Sequence, residues 1–472
     1  MADDDSRNFA PATDLGTRTV PERPTGTQAP TPDPAAAGPA VPRWLFGLIA
    51  AGMVIAALNL RPAISGLGPL LEEVRHGLRM SGTVAGLLTS VPPLCFAVFG
   101  GLAPRLARRR GPAPVVLAGM VAITLGLALR PLAGGTATFL AATALALAGI
   151  AVSNVLMPVI VKHWFPDRVG SMTGLYSMAL ALGTAGAAAV TVPMTDALGG
   201  SWRVGLGSWA ALAAVAVVPW AVVSRHRAAH TPEPEAVQEA VPEQTVEGEA
   251  TTESRTRGRT QAGSGSVRGG SGGRGGGAPA LRMTKSPTAW ALAVFFGLQA
   301  SAAYITMGWL PQIFRDAGVS ASAAGVMLAV TMGMGVPLSF VLPKLAARMR
   351  HQGPLVLALG VCGLVGYAGL WFAPAAGAWA WALVLGVSNC AFPLALTMIG
   401  MRSRSNAGVV KLSAFAQSTG YLISIPGPLL VGSLHDLSGD WHLPLLLMAL
   451  LMFAQMATGL LAGRDRVIEE GR

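Results

Sequence analysis

From residue 44 onward the chain alternates between apolar segments and short joints that hold nearly all the charge. The segments fall at about 44–63, 83–103, 113–130, 136–161, 170–193, 205–223, 288–310, 322–343, 353–373, 376–399, 411–433 and 443–463. A membrane-crossing helix needs roughly 20 predominantly apolar residues, so the pattern predicts an all-α polytopic membrane protein with twelve transmembrane helices in two sets of six. Gly and Pro inside such segments are tolerated in lipid. The 59 glycines and the many alanines suit helices that touch through small residues.

Two stretches break the pattern. Residues 1–42 are rich in Pro, Thr, Ala and Asp and lack the basic start and short apolar run of a secretory signal. They read as a disordered cytoplasmic tail. Residues 224–287 begin with scattered glutamates and continue through GSGSVRGGSGGRGGG, which reads as a flexible cytoplasmic linker. The expected organisation is a tail (1–42), an N-terminal six-helix bundle (43–223), the linker (224–287), a C-terminal six-helix bundle (288–463) and a short cytoplasmic tail (464–472). No aromatic residues stand between the linker arginines for bases to stack on, so no nucleic-acid partner is expected.

Composition sharpens this. Apolar residues make up 52% of the chain and charged residues 12%. Soluble domains carry about 25% charged residues, so an ordinary cytoplasmic enzyme is excluded. The net charge of +11 is an orientation signal. With the amino terminus inside, inner segments hold 28 of the 34 Lys and Arg residues. The outer joints hold Arg75, Arg79, Arg130, Arg203 and Arg315, and Arg61 lies within a span. The positive-inside rule then places both termini in the cytoplasm. Cys95, Cys362 and Cys390 sit in apolar runs with no metal or disulfide spacing. No metal or cofactor is expected.

The two halves repeat each other. LAPRLARR at 102–109 returns as VLPKLAAR at 341–348, which pairs Arg105 with Lys344. Ala85-Gly86 returns as Ala324-Gly325, and Asn59 lies opposite Gln299. Asn154 with Pro158 returns as Asn389 with Pro393. Two similar six-helix halves on a long inner linker form the plan of major facilitator transporters. The joint GGLAPRLARRRG at 100–111 resembles that superfamily's signature loop, Gly-x-Leu-Ala-Asp-Arg-x-Gly-Arg-Arg. Gly100, Leu102, Ala103, Arg105, Arg108 and Arg109 match it, whereas Pro104 replaces the Asp and Ala107 the second Gly. The resemblance implies a gating role for Gly100, Arg105, Arg108, Arg109 and Lys344, with the acidic member of the network missing. ALNLRPAISGLGPLL, GLYSMALALG, LQASAAYITMGWLP and QSTGYLISIPGPLLVGSLHD are similar to the CynX/NimT (cyanate/2-nitroimidazole) branch. That likeness implies a small polar or anionic substrate, bound where the halves meet, with spans 1, 4, 7 and 10 lining the cavity.

No carboxylate or histidine lies deep in a span, although intramembrane proton relays use those residues. The missing acids count against a cation-exporting drug transporter and against a membrane-embedded enzyme. A membrane scaffold is a remote alternative. A boundary acid such as Glu72 or Asp196, or the substrate itself, could carry a co-transported proton; uniport fits the residues as well. Arg61, just before Pro62, is the one charge within a span, and a planar guanidinium beside irregular backbone suits an anion. The other candidate substrate-binding residues are Asn59, Asn154, Tyr176, Gln299, Tyr304, Asn389, Gln417 and Tyr421. Amides near a kink can instead satisfy freed carbonyls, the reading favoured for Asn154 and Asn389. Trp309 reads as part of an interfacial aromatic belt. The expectation is a bacterial inner-membrane transporter, monomeric, not an enzyme, moving a small anionic or polar solute by alternating access.

Overall fold

The computed structural model describes residues 42–226 and 283–468. Nearly all of the expected tail and linker, and the last four residues, lie outside the described residues. Among those described there is no strand. The helices are α1 (Arg43–Asn59), α2 (Pro62–Ser65), α3 (Leu71–Leu78), α4 (Gly82–Cys95), α5 (Gly101–Arg110), α6 (Pro112–Leu129), α7 (Thr136–Trp164), α8 (Val169–Ala197) and α9 (Trp202–Arg225). They continue with α10 (Pro287–Asp316), α11 (Ala321–Gly333), α12 (Gly335–Arg348), α13 (Gly353–Phe372), α14 (Ala378–Asn389), α15 (Ala391–Met401), α16 (Asn406–Ser424), α17 (Pro426–Ser438) and α18 (His442–Ala462).

These helices and their in-line continuations give eleven stretches long and apolar enough to cross a bilayer. The segment expected at 411–433 is not among them. It is two helices, α16 and α17, meeting at Ile425. Lys411, Ser413, Gln417 and Ser418 make it polar, and Pro426 cannot donate the backbone bond that would carry one helix into the next. Outward faces are apolar, with Leu182, Val218, Phe340, Leu450 and Phe453 all exposed. An apolar surface this extensive fits lipid rather than water.

Helix directions alternate, so the joints collect at two ends. One, here the basic end, carries Arg105, Arg108, Arg109 and Arg110 and, in the second half, Lys344, Arg348, Arg350 and Arg404. The two halves meet toward the other, far end. There α4 packs on α17 and α11 packs on α8, whereas α5 and α12, which continue toward the basic end, make little contact with the opposite half. The repeated Ala-Gly pairs sit at these two contacts. A Cβ on Gly86 would come within 2.8 Å of the Leu429 and Pro428 carbonyl oxygens, and one on Gly325 within 2.5 Å of the Ala188 carbonyl oxygen. Only glycine permits backbones this close.

Ion pairs span the same end. Arg315 on α10 donates Nη1 to Glu73 Oε2 (2.9 Å) and to the Pro69 carbonyl (2.9 Å). Its Nη2 reaches Glu73 Oε1 (2.8 Å) and Glu72 Oε2 (2.7 Å). Asp436 on α17 pairs with Arg75 (3.4 Å) and accepts from the Thr83 backbone N–H (2.8 Å), so it caps the start of α4 from the other half. Trp309 is not an interfacial belt residue. It is fully buried against Trp441, whose ring lies 5.8 Å away, and Trp441 Nε1 donates to Asp316 (2.7 Å).

Candidate substrate site between the halves

The first span breaks where the sequence has Leu-Arg-Pro. Pro62 has no N–H to donate and pushes the preceding residue out of helical geometry. Arg61 accordingly adopts φ −124°, ψ −27°, between α1 and α2. The freed backbone is rebuilt locally. The Arg61 carbonyl accepts from the Ile64 N–H (2.9 Å), the Ser65 N–H (3.0 Å) and Ser65 Oγ (3.0 Å).

Arg61 itself is half-buried. Its guanidinium lies close enough to Tyr304 on α10, Tyr176 on α8 and Tyr421 on α16 to act on all three electrostatically. Three of the chain's four tyrosines thus feel one cation. Tyr176 Oη donates to Asn154 Oδ1 on α7. Tyr421 stacks on Phe96 (centroids 5.3 Å apart, 22° between planes) and meets the edge of Phe296 (5.2 Å, 88°). Phe96 opens the π-helical turn Phe96–Gly100 that follows Pro92 and Pro93. No described carboxylate pairs with Arg61. Just beyond Tyr304, residues Ala63, Gly68, Thr89, Thr143 and Gly308 help line a cavity of about 10 Å³, on the scale of a single water.

The structure therefore divides the candidates. Arg61, Tyr304, Tyr176, Asn154 and Tyr421 come together; the other amides do not join them. Asn59 Nδ2 donates to the Ile55 carbonyl (2.8 Å) and the Leu212 carbonyl (3.2 Å), tying the end of α1 to α9. Gln299 Nε2 donates to the Asn389 carbonyl (3.0 Å) and Oδ1 (3.1 Å), and its Oε1 accepts from Gln455 (2.7 Å). Asn389 ends α14, where the helix breaks before Ala391, so Gln299 satisfies a carbonyl that the break has freed. Asn154, by contrast, lies in α7, which runs through Pro158 unbroken. Gln417 bonds Ser413 one turn back (3.0 Å). Arg105, Arg108, Arg109 and Lys344 are exposed at the basic end, and Gly100 is half-buried.

Arg130 was absent from the sequence-based candidates. Counted with the outer joints, it is wholly buried and bonded to Thr143 Oγ1 and the Ala63 carbonyl. The available signal was Leu-x-Leu-Arg-Pro, which occurs at 58–62 and again at 127–131.

A model of the Major Facilitator Superfamily matches residues 46–428. The chain belongs to that superfamily. An uncharacterized transporter of Bacillus subtilis, YycB, is 32% identical over 90% of this chain and 94% of its own length. The 2-nitroimidazole transporter of Escherichia coli is 30% identical over 89% of this chain and 96% of its own. The cyanate transport protein CynX of the same organism is 29% identical over 82% and 90%. Among solved structures, a bacterial homolog of the lysosomal transporter Spinster, in an inward-facing and unoccupied conformation, superposes with a TM-score of 0.62 at 13% identity, covering 90% of this chain and 96% of its own. The CynX/NimT resemblance of the span motifs thus extends over most of the chain.

Proposed function

We propose that this superfamily member is a secondary transporter of small anionic or polar solutes, of the size of cyanate, a nitroimidazole or a small carboxylate. It works by alternating access in the bacterial inner membrane. In this reading α16 and α17 together complete a twelfth span, residues 43–223 and 288–463 are the two moving bundles, and the basic end with both termini faces the cytoplasm. The protein acts as a monomer.

The observation that supports the reading most is the Arg61 guanidinium, set where the halves meet, within electrostatic reach of three phenols and paired with no described carboxylate. A charge kept at depth without a counter-ion is costly, and an anionic substrate supplies the missing partner. The tyrosine rings suit a planar body attached to that charge. The names of the E. coli relatives bring cyanate and 2-nitroimidazole to this chain as first probes. Proton coupling, if present, uses a boundary acid such as Glu72, which the structure places in the far-end ion pairs.

The test is uptake of cyanate, 2-nitroimidazole and benzoate into proteoliposomes, with and without a pH gradient. Wild-type protein should move at least one probe, and Arg61→Ala should weaken its affinity about tenfold or more, the worth of a charge-assisted bond. Unchanged affinity and rate in Arg61→Ala would overturn the assignment.

A further inference from the structure

Arg130 has chemistry that the transport reading does not yet use. Its guanidinium is wholly buried, and no described carboxylate pairs with it. On one side it is tied to α7: Nε donates to Thr143 Oγ1 (3.0 Å), and the guanidinium lies over the Phe139 ring at 5.6 Å. On the other side Nη1 donates to the Ala63 carbonyl at 2.9 Å.

That carbonyl is special. Past the break at Pro62, the Leu67 N–H turns to the Ile64 carbonyl (3.2 Å) instead of reaching back to Ala63. The Ala63 oxygen is left without a helical donor two residues from Arg61, and Arg130 takes it. Nη2 meanwhile has no hydrogen-bond partner among the described residues. What arginine supplies here is a rigid fork joining two elements, which a flexible ammonium would not reproduce.

We propose that Arg130 is a positioning residue for the Arg61 site. Clamping the Ala63 carbonyl to α7, it fixes the break in the first span and with it the direction in which Arg61 projects toward Tyr304. Ala63 and Thr143, the two partners of Arg130, line the same cavity as Tyr304, one of the phenols on which Arg61 acts. A shift at the clamp is thus passed directly to the site, and a displacement of about 1 Å can cost as much as a hundredfold. This inference rests on Arg61 being the anion-binding group.

The test uses the purified full-length chain and measures affinity for cyanate, 2-nitroimidazole and benzoate alongside thermal melting. Arg130→Met should weaken binding of whichever probe wild type holds by about tenfold or more, and Arg130→Lys should recover part of the loss. In an Arg61→Ala background, adding Arg130→Met should change the residual affinity by less than about twofold, because the two act as one unit. Equal losses in both backgrounds, or a drop in melting temperature with affinity intact, would overturn the positioning role. Should Arg130→Met fail to fold, Thr143→Val removes the Nε acceptor alone and should give the same pattern at smaller size. If Arg61→Ala leaves affinity unchanged, or wild type binds none of the probes, the anion-site reading falls first and this inference goes with it.

Discussion

The far-end ion pairs should set the balance between the two access states, and Arg315→Gln tests this directly. Arg315 joins α10 to the start of α3 through a two-pronged contact with Glu73, a contact with Glu72 and a bond to the Pro69 carbonyl. Its side chain is 16% exposed, and the glutamates are about a third exposed, at 35% and 34%. Solvent-exposed pairs contribute about 0.2–1 kcal/mol, and bonds to charged groups about 1.5–3 kcal/mol. A half-buried, bidentate contact lies between these, at about 2 kcal/mol. Because the bonds exist only while the halves meet at this end, the whole amount acts on the conformational equilibrium. Losing it should move that equilibrium about thirtyfold toward far-end opening. Spin labels at His76→Cys and Leu437→Cys, both exposed at the far end, report the change as pulsed electron-resonance distances after Cys95, Cys362 and Cys390 are replaced by Ala. A longer far-end population should appear in Arg315→Gln, and raised salt should enlarge it in wild type by screening the pairs. A distance distribution identical to wild type would show that the pairs do not hold the far end closed.

Two other substitutions separate support from binding and closure from folding. Gln299→Leu should lower thermal stability by about 1–3 kcal/mol, the cost of leaving the Asn389 carbonyl and the Gln455 amide unmet, while substrate affinity stays at the wild-type value; a selective loss of affinity would return Gln299 to the site. Gly325→Val places a side chain where a Cβ already stands 2.5 Å from the Ala188 carbonyl oxygen. It should leave the fold intact and abolish transport, and unchanged transport would show that this contact is not needed for closure.

The helical, membrane-spanning character was legible because it rests on patterns that survive without coordinates. Apolar run lengths set the spans; the Ala85-Gly86 and Ala324-Gly325 pairs showed only a repeat in the sequence, and the structure adds that both lie at close contacts of the far end. Arg61 stood out because it interrupts an apolar run. Arg130 did not, because it closes one: a charge at the last position of a span reads as a joint, and only burial reveals otherwise. The amides were ambiguous for a different reason. Asn59, Gln299 and Asn389 have the same chemistry whether they face a substrate or a freed carbonyl, and which backbone bonds break is decided in three dimensions. Pro158 leaves α7 continuous, whereas the helix near Pro393 breaks beside Asn389, so two matching motifs give Asn154 and Asn389 different partners. Trp309 was misplaced because its position near a span end suits either a lipid interface or the buried contact with Trp441.

The distribution of charge also bears on how occupancy could drive the cycle. Opposite charges join the halves at the far end, whereas Arg105, Arg108 and Arg109 in one half and Lys344, Arg348 and Arg350 in the other are all exposed at the basic end. In the proposed cycle, closing the basic end would bring like charges together, and the intermediate closed at both ends would shut Arg61, paired with no described carboxylate, away from water. Both steps are unfavourable. A bound anion offsets the second by giving Arg61 a partner, so the loaded carrier should close the basic end more readily than the empty one. A ligand shifts an equilibrium only through such a difference in affinity between states. The consequence is measurable without knowing the direction of transport in the cell. In proteoliposomes, exchange of labelled for unlabelled substrate should run faster than net flux, because exchange never requires the empty carrier to reorient. Substituting Arg61→Gln should remove most of that difference, since the empty site no longer carries a bare charge. Equal exchange and net rates in wild type would mean that substrate does not discharge the Arg61 penalty.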